Sequence, residues 1–326
     1  MEKRFDMLCM GIGCYDVVVR HVPTDLMSQE YVVIDDISST TGGDALNASV
    51  GLTRLGMKTG FLSVLGNDPW GKSVLADLSR KGVDVSAVQI RDDFHTGVSY
   101  VLIEKNAERH FALNFEKNAM PLHNSDISDE LIASTRHIHA ASCNALGSMD
   151  DELGELFARA HALGVTTSMD TGWDPTGQWF DRIREPLKNC DIFFPSHYEA
   201  VEYCGGETDV LKMKEIFRNT GIKIFGCKLG SEGIFVTDYK EDIFMKPLFK
   251  GTPVDTTGAG DAFCSTFVAG IVRGMSLRDA AVLGQSQAAH VISTLGANNG
   301  ATDIHTLVEY AKTYGYEIDI KEEFDR

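Results

Sequence analysis

The chain has 326 residues, 43% of them hydrophobic, enough for one large core or two smaller ones. Its 30 lysines and arginines stand against 47 aspartates and glutamates, a formal charge of −17, which excludes the basic face that a nucleic acid or an anionic membrane requires. A small anionic ligand needs only local donors and stays open.

The opening MEKRFDMLCMGIGCYD holds an apolar run of about eight residues between aspartates, a strand rather than a signal segment or membrane span. Next, DALNASVGLTRLG follows a glycine pair with a helical period, with Asp44 expected as N-cap and Gly56 as stop. TGFLSVL is a second strand, leading through GNDPWGKS into the helical VLADLSRKG. RHIHAAS, GVTTSMD, CDIFFP and IKIFGCKLG are further strands, with helices such as MDDELGELFARAHALG between them. Strands separated by helices imply crossover connections, hence an α/β fold, a three-layer αβα sandwich around a mostly parallel sheet. His137 and His139 fit alternation along a strand better than a zinc pair, and no H-E-x-x-H occurs. Seven cysteines without a C-x-x-C pair point to reduced thiols and a cytoplasmic protein.

Two inserts break the rhythm. Residues 17–41 contain YDVVVRHV and YVVIDDISST, and residues 95–118 contain HTGVSYVLIEKNAERHFALNFEKNAM. In the second, Phe111, Leu113 and Phe115 alternate with His110, Ala112 and Asn114, and KNAE supplies a turn. These inserts are expected to form a small β lid. Its apolar face would cover a cleft, a second copy of the chain, or both. Residues 1–16, 42–94 and 119–326 would then make the core.

Two glycine-rich stretches compete as phosphate cradles. Gly66 to Ser73 fits G-x-x-x-x-G-K-[ST], but Asp68 brings negative charge, Pro69 removes an N–H and Trp70 adds bulk. A turn bent at Gly66 and Gly71 and capped by Asp68, with Lys72 facing solvent, accounts for it. DTTGAGDAF, Asp255 to Phe263, is better suited. Gly258, Ala259 and Gly260 offer N–H groups with almost no side-chain bulk, and the following AFCSTFVAGIV is apolar nearly all round, a buried helix. Asp261 sits in its first turn, where acidic residues are favoured in any case.

DTTGAGDAF closes an ordered series that resembles the phosphofructokinase-B, or ribokinase-like, carbohydrate kinases. GCYD, ending the first strand with Asp16, and then GGDALNAS, GNDPWG and CKLGSEG match the family's earlier motifs in order. The resemblance implies ATP-dependent phosphorylation of a primary hydroxyl on a sugar, with Mg²⁺ as cofactor. Asp261 would be the general base, and the N–H groups from Gly258 through Ala259 and Gly260 to Asp261 the anion hole. It places Asp16, Gly42, Gly43 and Asn47 on substrate hydroxyls. Lys228, Gly230, Ser231 and Gly233 would line the nucleotide, with Asn298 of STLGAN near its base or ribose. Asp255 and Thr257 match the family's monovalent-cation (K⁺) position. The family also suggests a homodimer formed through the lid.

Two departures are informative. Where the family carries N-x-x-E, this chain has SHYE, so Glu199 either organises Mg²⁺ through water or completes a capping box with Ser196. After SMD the chain reads DTGWDPTGQW, without the arginine that would pair with a sugar acid, which favours a neutral sugar unless Arg109 compensates. A nucleoside is the alternative acceptor, with Tyr100, Phe111 and Trp173 as stacking or core residues. A catalytically silent sugar or nucleotide sensor and a P-loop NTPase are weaker alternatives.

Overall fold

The structure is a computed structural model describing residues 3–34, 36–104, 109–114 and 120–320. In chain order the strands are Phe5–Met10 (β1), Cys14–Val22 (β2), Ile37–Gly42 (β3), Thr59–Leu62 (β4), Val64–Gly66 (β5), Gln89–Arg91 (β6), Gly97–Glu104 (β7), Arg109–Leu113 (β8), Thr135–Cys143 (β9), Thr166–Thr171 (β10), Ile192–Phe194 (β11), Ile224–Lys228 (β12), Ile234–Thr237 (β13) and Asp242–Met245 (β14). Eight of them form the main sheet, in the order β14-β13-β12-β11-β10-β9-β1-β4. From β4 to β12 the pairing is parallel; β13 and β14 add an antiparallel edge.

Parallel strands buried on both faces alternate their side chains between two cores. Met7 and Cys9 of β1 enter one, with the helices Asp44–Arg54, Ala259–Val272 and Leu277–Ile292, while Leu8 and Met10 enter the other, with Ser148–Ala162 and Val210–Arg218. The three-layer sandwich is therefore present. His137 and His139 are buried on β9 and hydrogen-bonded to Ser168 of β10, each at 2.7 Å.

The small sheet is β3-β2-β7-β8, with β2 and β7 parallel and the outer pairs antiparallel. Its first strand starts three residues before the insert at 17. Asp16 belongs to β2 rather than to the end of β1, because the chain breaks at Gly11–Gly13 and re-enters extended structure at Cys14. The KNAE turn and Phe115 lie outside the described residues, as do the side chains of Arg109 and Phe111. TGFLSVL is two strands, divided at Ser63.

Gly66 to Ser73 is a capped turn. Asp68 Oδ1 accepts from Gly71 N at 2.7 Å, Asp68 Oδ2 from Thr96 N at 2.9 Å, and Pro69 opens the helix Pro69–Arg80. Gly71 is required by close approach, since a Cβ there would lie 2.2 Å from Gly66 O. Trp70 packs on Tyr15 at 5.0 Å and Lys72 is exposed. No helix among the described residues is long and apolar enough to cross a membrane, and the seven cysteines are unpaired.

Candidate active site

Parallel pairing puts the carboxyl ends of β1, β9, β10, β11 and β12 on one edge of the sheet, where open α/β folds bind ligands. A cleft of about 380 Å³ opens there, roofed by Val18, Val101, Ile103 and Leu113 of the small sheet. Asp16, Gly42, Gly43, Asn47, Asp255, Thr257, Gly258 and Asp261 all line it. Residues far apart in sequence thus converge, as expected for one site.

At the floor, the helix Ala259–Val272 begins from Gly258, which has φ 78° and lies so close to Ala297 that a Cβ would sit 2.1 Å from its carbonyl oxygen. Only glycine fits this left-handed position. The N–H groups of Gly260 and Asp261 have no hydrogen-bond partner among the described residues, so the helix terminus offers free donors at the cleft. Lys228, at the end of β12, lies against Gly260, with its Nζ 3.6 Å from where a Cβ would be. Its ammonium donates to Asp170 Oδ1 at 2.5 Å. Burial alone would lower the lysine's pKa, but Asp170, Cys264 and Glu199 hold it well above the usual value.

Asp261 takes a hydrogen bond from Asn47 Nδ2 to its Oδ2 at 2.8 Å. Burial, then the negative charges of Asp44 and Asp170, push its carboxyl up to about 8, against the pull of Asn47 and Lys228. Such a carboxylate is a base poised near neutral pH. Asp44 is not the N-cap of its helix. Gly43 takes that place, and Asp44 turns into the cleft, where Ser142 Oγ donates to its Oδ2 at 2.8 Å. Asp16 is raised chiefly by burial and accepts from Ser99 and Cys14.

Glu199 does complete the capping box. Ser196 N donates to Glu199 Oε2 at 2.7 Å, Glu199 N to Ser196 Oγ at 3.3 Å, and Thr171 Oγ1 to Glu199 Oε2 at 3.2 Å. Burial raises its pKa, while Lys228 opposes. Asp255 is buried, with Oδ1 accepting from Thr257 N and Oγ1 and Oδ2 from Gly296 N. Gly230 and Ser231 belong to a short 3₁₀ turn after β12 that Gly233 closes, outside the cleft lining.

Asn298, expected near the nucleotide's base or ribose, is 3% exposed, with its amide bound to Lys81, Thr41 and Asn47. Tyr100 points to the far side of β7 from Ser99 and Val101, and Trp173 stacks on Tyr198 at 5.3 Å. Asp44, which lies inside GGDALNAS but was expected only as an N-cap, and Asp170, at the end of the GVTTSMD strand, act on the charge of Asp261 without having been assigned a site role.

The family model for pfkB family carbohydrate kinases matches residues 6–304. An uncharacterized sugar kinase of Archaeoglobus fulgidus is 29% identical over 253 residues, 77% of this chain and 98% of that protein. A nucleoside kinase of Methanothermobacter thermautotrophicus is 24% identical over 97% of this chain and 99% of its own length. The structure of Arabidopsis thaliana ribokinase with ribose and ATP superposes with a TM-score of 0.80 at 21% identity, covering 96% of this chain and 99% of that one.

Proposed function

The chain belongs to the pfkB carbohydrate kinase family, and from that premise we propose that it is an ATP-dependent kinase of a primary hydroxyl on a neutral sugar, with Asp261 as general base. The observation that carries this is Asp261 lining the cleft from the first turn of a helix whose N-terminus keeps free N–H groups and has Lys228 packed against it at Gly260. ATP with Mg²⁺ supplies the phosphoryl group. Asp261 takes the proton of the acceptor hydroxyl as that oxygen attacks. The N–H groups of Gly258, Gly260 and Asp261, with Lys228, would face the charge of the transferring group, while the Ala259 N–H, expected to join them, donates to Thr256 O at 3.4 Å. Asp16, Asn47 and Asp44 accept from or donate to the other hydroxyls, and the small sheet keeps water out.

Lys228 and the free Gly260 and Asp261 N–H groups at the helix terminus fit a polyphosphate, with Gly230, Ser231 and Gly233 on the nucleotide side. Glu199, buried beside Lys228 and Asp170, would hold Mg²⁺ through water. Asp255 and Thr257 would border a K⁺ site. A homodimer through the small sheet and a cytoplasmic setting complete this reading, whose partners are small molecules and not nucleic acid or membrane.

The charged groups lining the cleft are all carboxylates among the described residues, which disfavours a sugar acid. The apolar roof of Val18, Val101, Ile103 and Leu113 favours a second reading, a nucleoside whose base it would cover. An ADP-release assay across neutral sugars, sugar acids and nucleosides separates them. Turnover is expected with a neutral sugar; turnover only with nucleosides replaces the first reading by the second, and none with any acceptor removes both.

A further inference from the structure

A line of hydrogen bonds runs from the far side of the small sheet to Asp261. Lys81 Nζ donates to Asp77 Oδ2 and, at 2.7 Å, to Asn298 Oδ1. Asn298 Nδ2 donates to Thr41 O at 2.9 Å and to Asn47 Oδ1 at 2.8 Å. Asn47 Nδ2 then meets Asp261 at 2.8 Å. Lys81 can only donate and the Thr41 carbonyl can only accept, so the Asn298 amide has one possible polarity. That polarity passes to Asn47, whose oxygen must face Asn298 and whose N–H groups must face Asp261.

We propose that Asn298, held by Lys81 and Thr41, is a positioning residue that obliges Asn47 to present an N–H rather than a carbonyl oxygen to Asp261. The inference rests on Asp261 being the base. An N–H favours the carboxylate that must accept a proton, whereas a turned Asn47 would offer an oxygen and stabilise the protonated acid. The other groups around Asp261 are Asp44 on the helix Asp44–Arg54, Asp170 on β10, Lys228 on β12 and Cys264 on its own helix. All are left in place by changes at Asn298. The arrangement also explains why Asn298 is buried, with its amide nitrogen and oxygen both engaged.

The test follows the Asp261 carboxyl by ¹³C NMR in the ligand-free full chain, its signal assigned by loss in Asp261→Asn. Asn298→Leu removes the donor to Asn47 and leaves Lys81 paired with Asp77. The titration midpoint is expected to rise by about one unit. Asn298→Ala makes the same cut if the leucine variant does not fold, and Lys81→Met loosens the line one link further out. KM for ATP should stay at the wild-type value while turnover near neutral pH falls about tenfold, the fraction that such a shift removes. An unmoved midpoint in a folded Asn298 variant overturns the proposal, and so does a changed KM for ATP with an unchanged midpoint. The titration requires no turnover, so a wild-type protein that phosphorylates nothing would refute the kinase reading separately.

Discussion

The carboxylate of Asp44, in the first turn of one helix, raises the proton affinity of Asp261, in the first turn of another. Helix N-termini ordinarily favour carboxylates. Here burial outweighs that effect, and the second charge adds to it. If Asp261 acts as the proposed base it must be deprotonated, so kcat/KM should climb with pH through a midpoint near 8, the value to which Asp261 is raised in the free protein. Asp44→Asn removes one of the opposing charges and should move that midpoint down. A pH–rate profile of both proteins measures this, and an unmoved midpoint would separate Asp44 from the base.

Asp261→Asn should abolish turnover by about 10²- to 10⁴-fold, the range for loss of a general base. The same change should raise stability at alkaline pH. In the unfolded chain this carboxyl ionises near 3.8, whereas the folded protein holds its proton up to about 8. The unfolded state therefore binds fewer protons between those values, and stability falls as pH rises across them. Asparagine carries no such charge, and its oxygen can still accept from Asn47. Thermal melts at pH 6 and pH 9 check the sign: the gain in Tm from Asp261→Asn should be larger at pH 9.

The stretch from Gly66 to Ser73 matches a nucleotide-binding pattern and serves as a turn. Lys72→Ala should leave nucleotide binding and turnover at wild-type levels, since Lys72 is exposed. Asp68→Ala should cost about 1–2 kcal/mol by removing the cap. Gly71→Ala should be worse, because its Cβ meets the Gly66 carbonyl at 2.2 Å and the backbone must shift. Urea titration ranks the three. A collapse of nucleotide affinity in Lys72→Ala alone would restore the phosphate-loop reading.

The sandwich and the glycine-led helix start at Gly258–Asp261 were legible because each depends on local signals: apolar runs alternating with helical periods, and a nine-residue string that fixes its own backbone. The partners of Asp261 were not. Asn47 and Asn298 meet across 251 positions of sequence, one on the helix Asp44–Arg54 and the other in the turn after the helix Leu277–Ile292, and only the tertiary fold brings them together. Asp170 gains its meaning from Lys228, whose strand lies two places away in the sheet. Asp16 was placed one strand too early because glycines at 11 and 13 allow a break that apolar periodicity does not mark. The face of Tyr100 was readable in principle. Alternation along Gly97–Glu104 puts it opposite Ser99, Val101 and Ile103, whose side chains line the cleft.

Glu199 has the capping role that the structure shows and the Mg²⁺ role proposed above, and a substitution pair can separate them. Its Oε2 closes the capping box on Ser196 and receives Thr171, while its charge faces Lys228 within the site. Glutamine keeps the shape and an acceptor for the Ser196 N–H, so Glu199→Gln should leave Tm within a degree or two of wild type, where one kcal/mol moves a domain of this size by a few degrees. If Glu199 organises Mg²⁺, losing the charge should raise the Mg²⁺ concentration needed for half-maximal turnover by about tenfold. Glu199→Ala should show the same Mg²⁺ effect together with a loss of about 1 kcal/mol from the cap. Mg²⁺ titrations of turnover beside thermal melts measure both quantities. An unchanged Mg²⁺ requirement in Glu199→Gln would leave the residue with the cap alone.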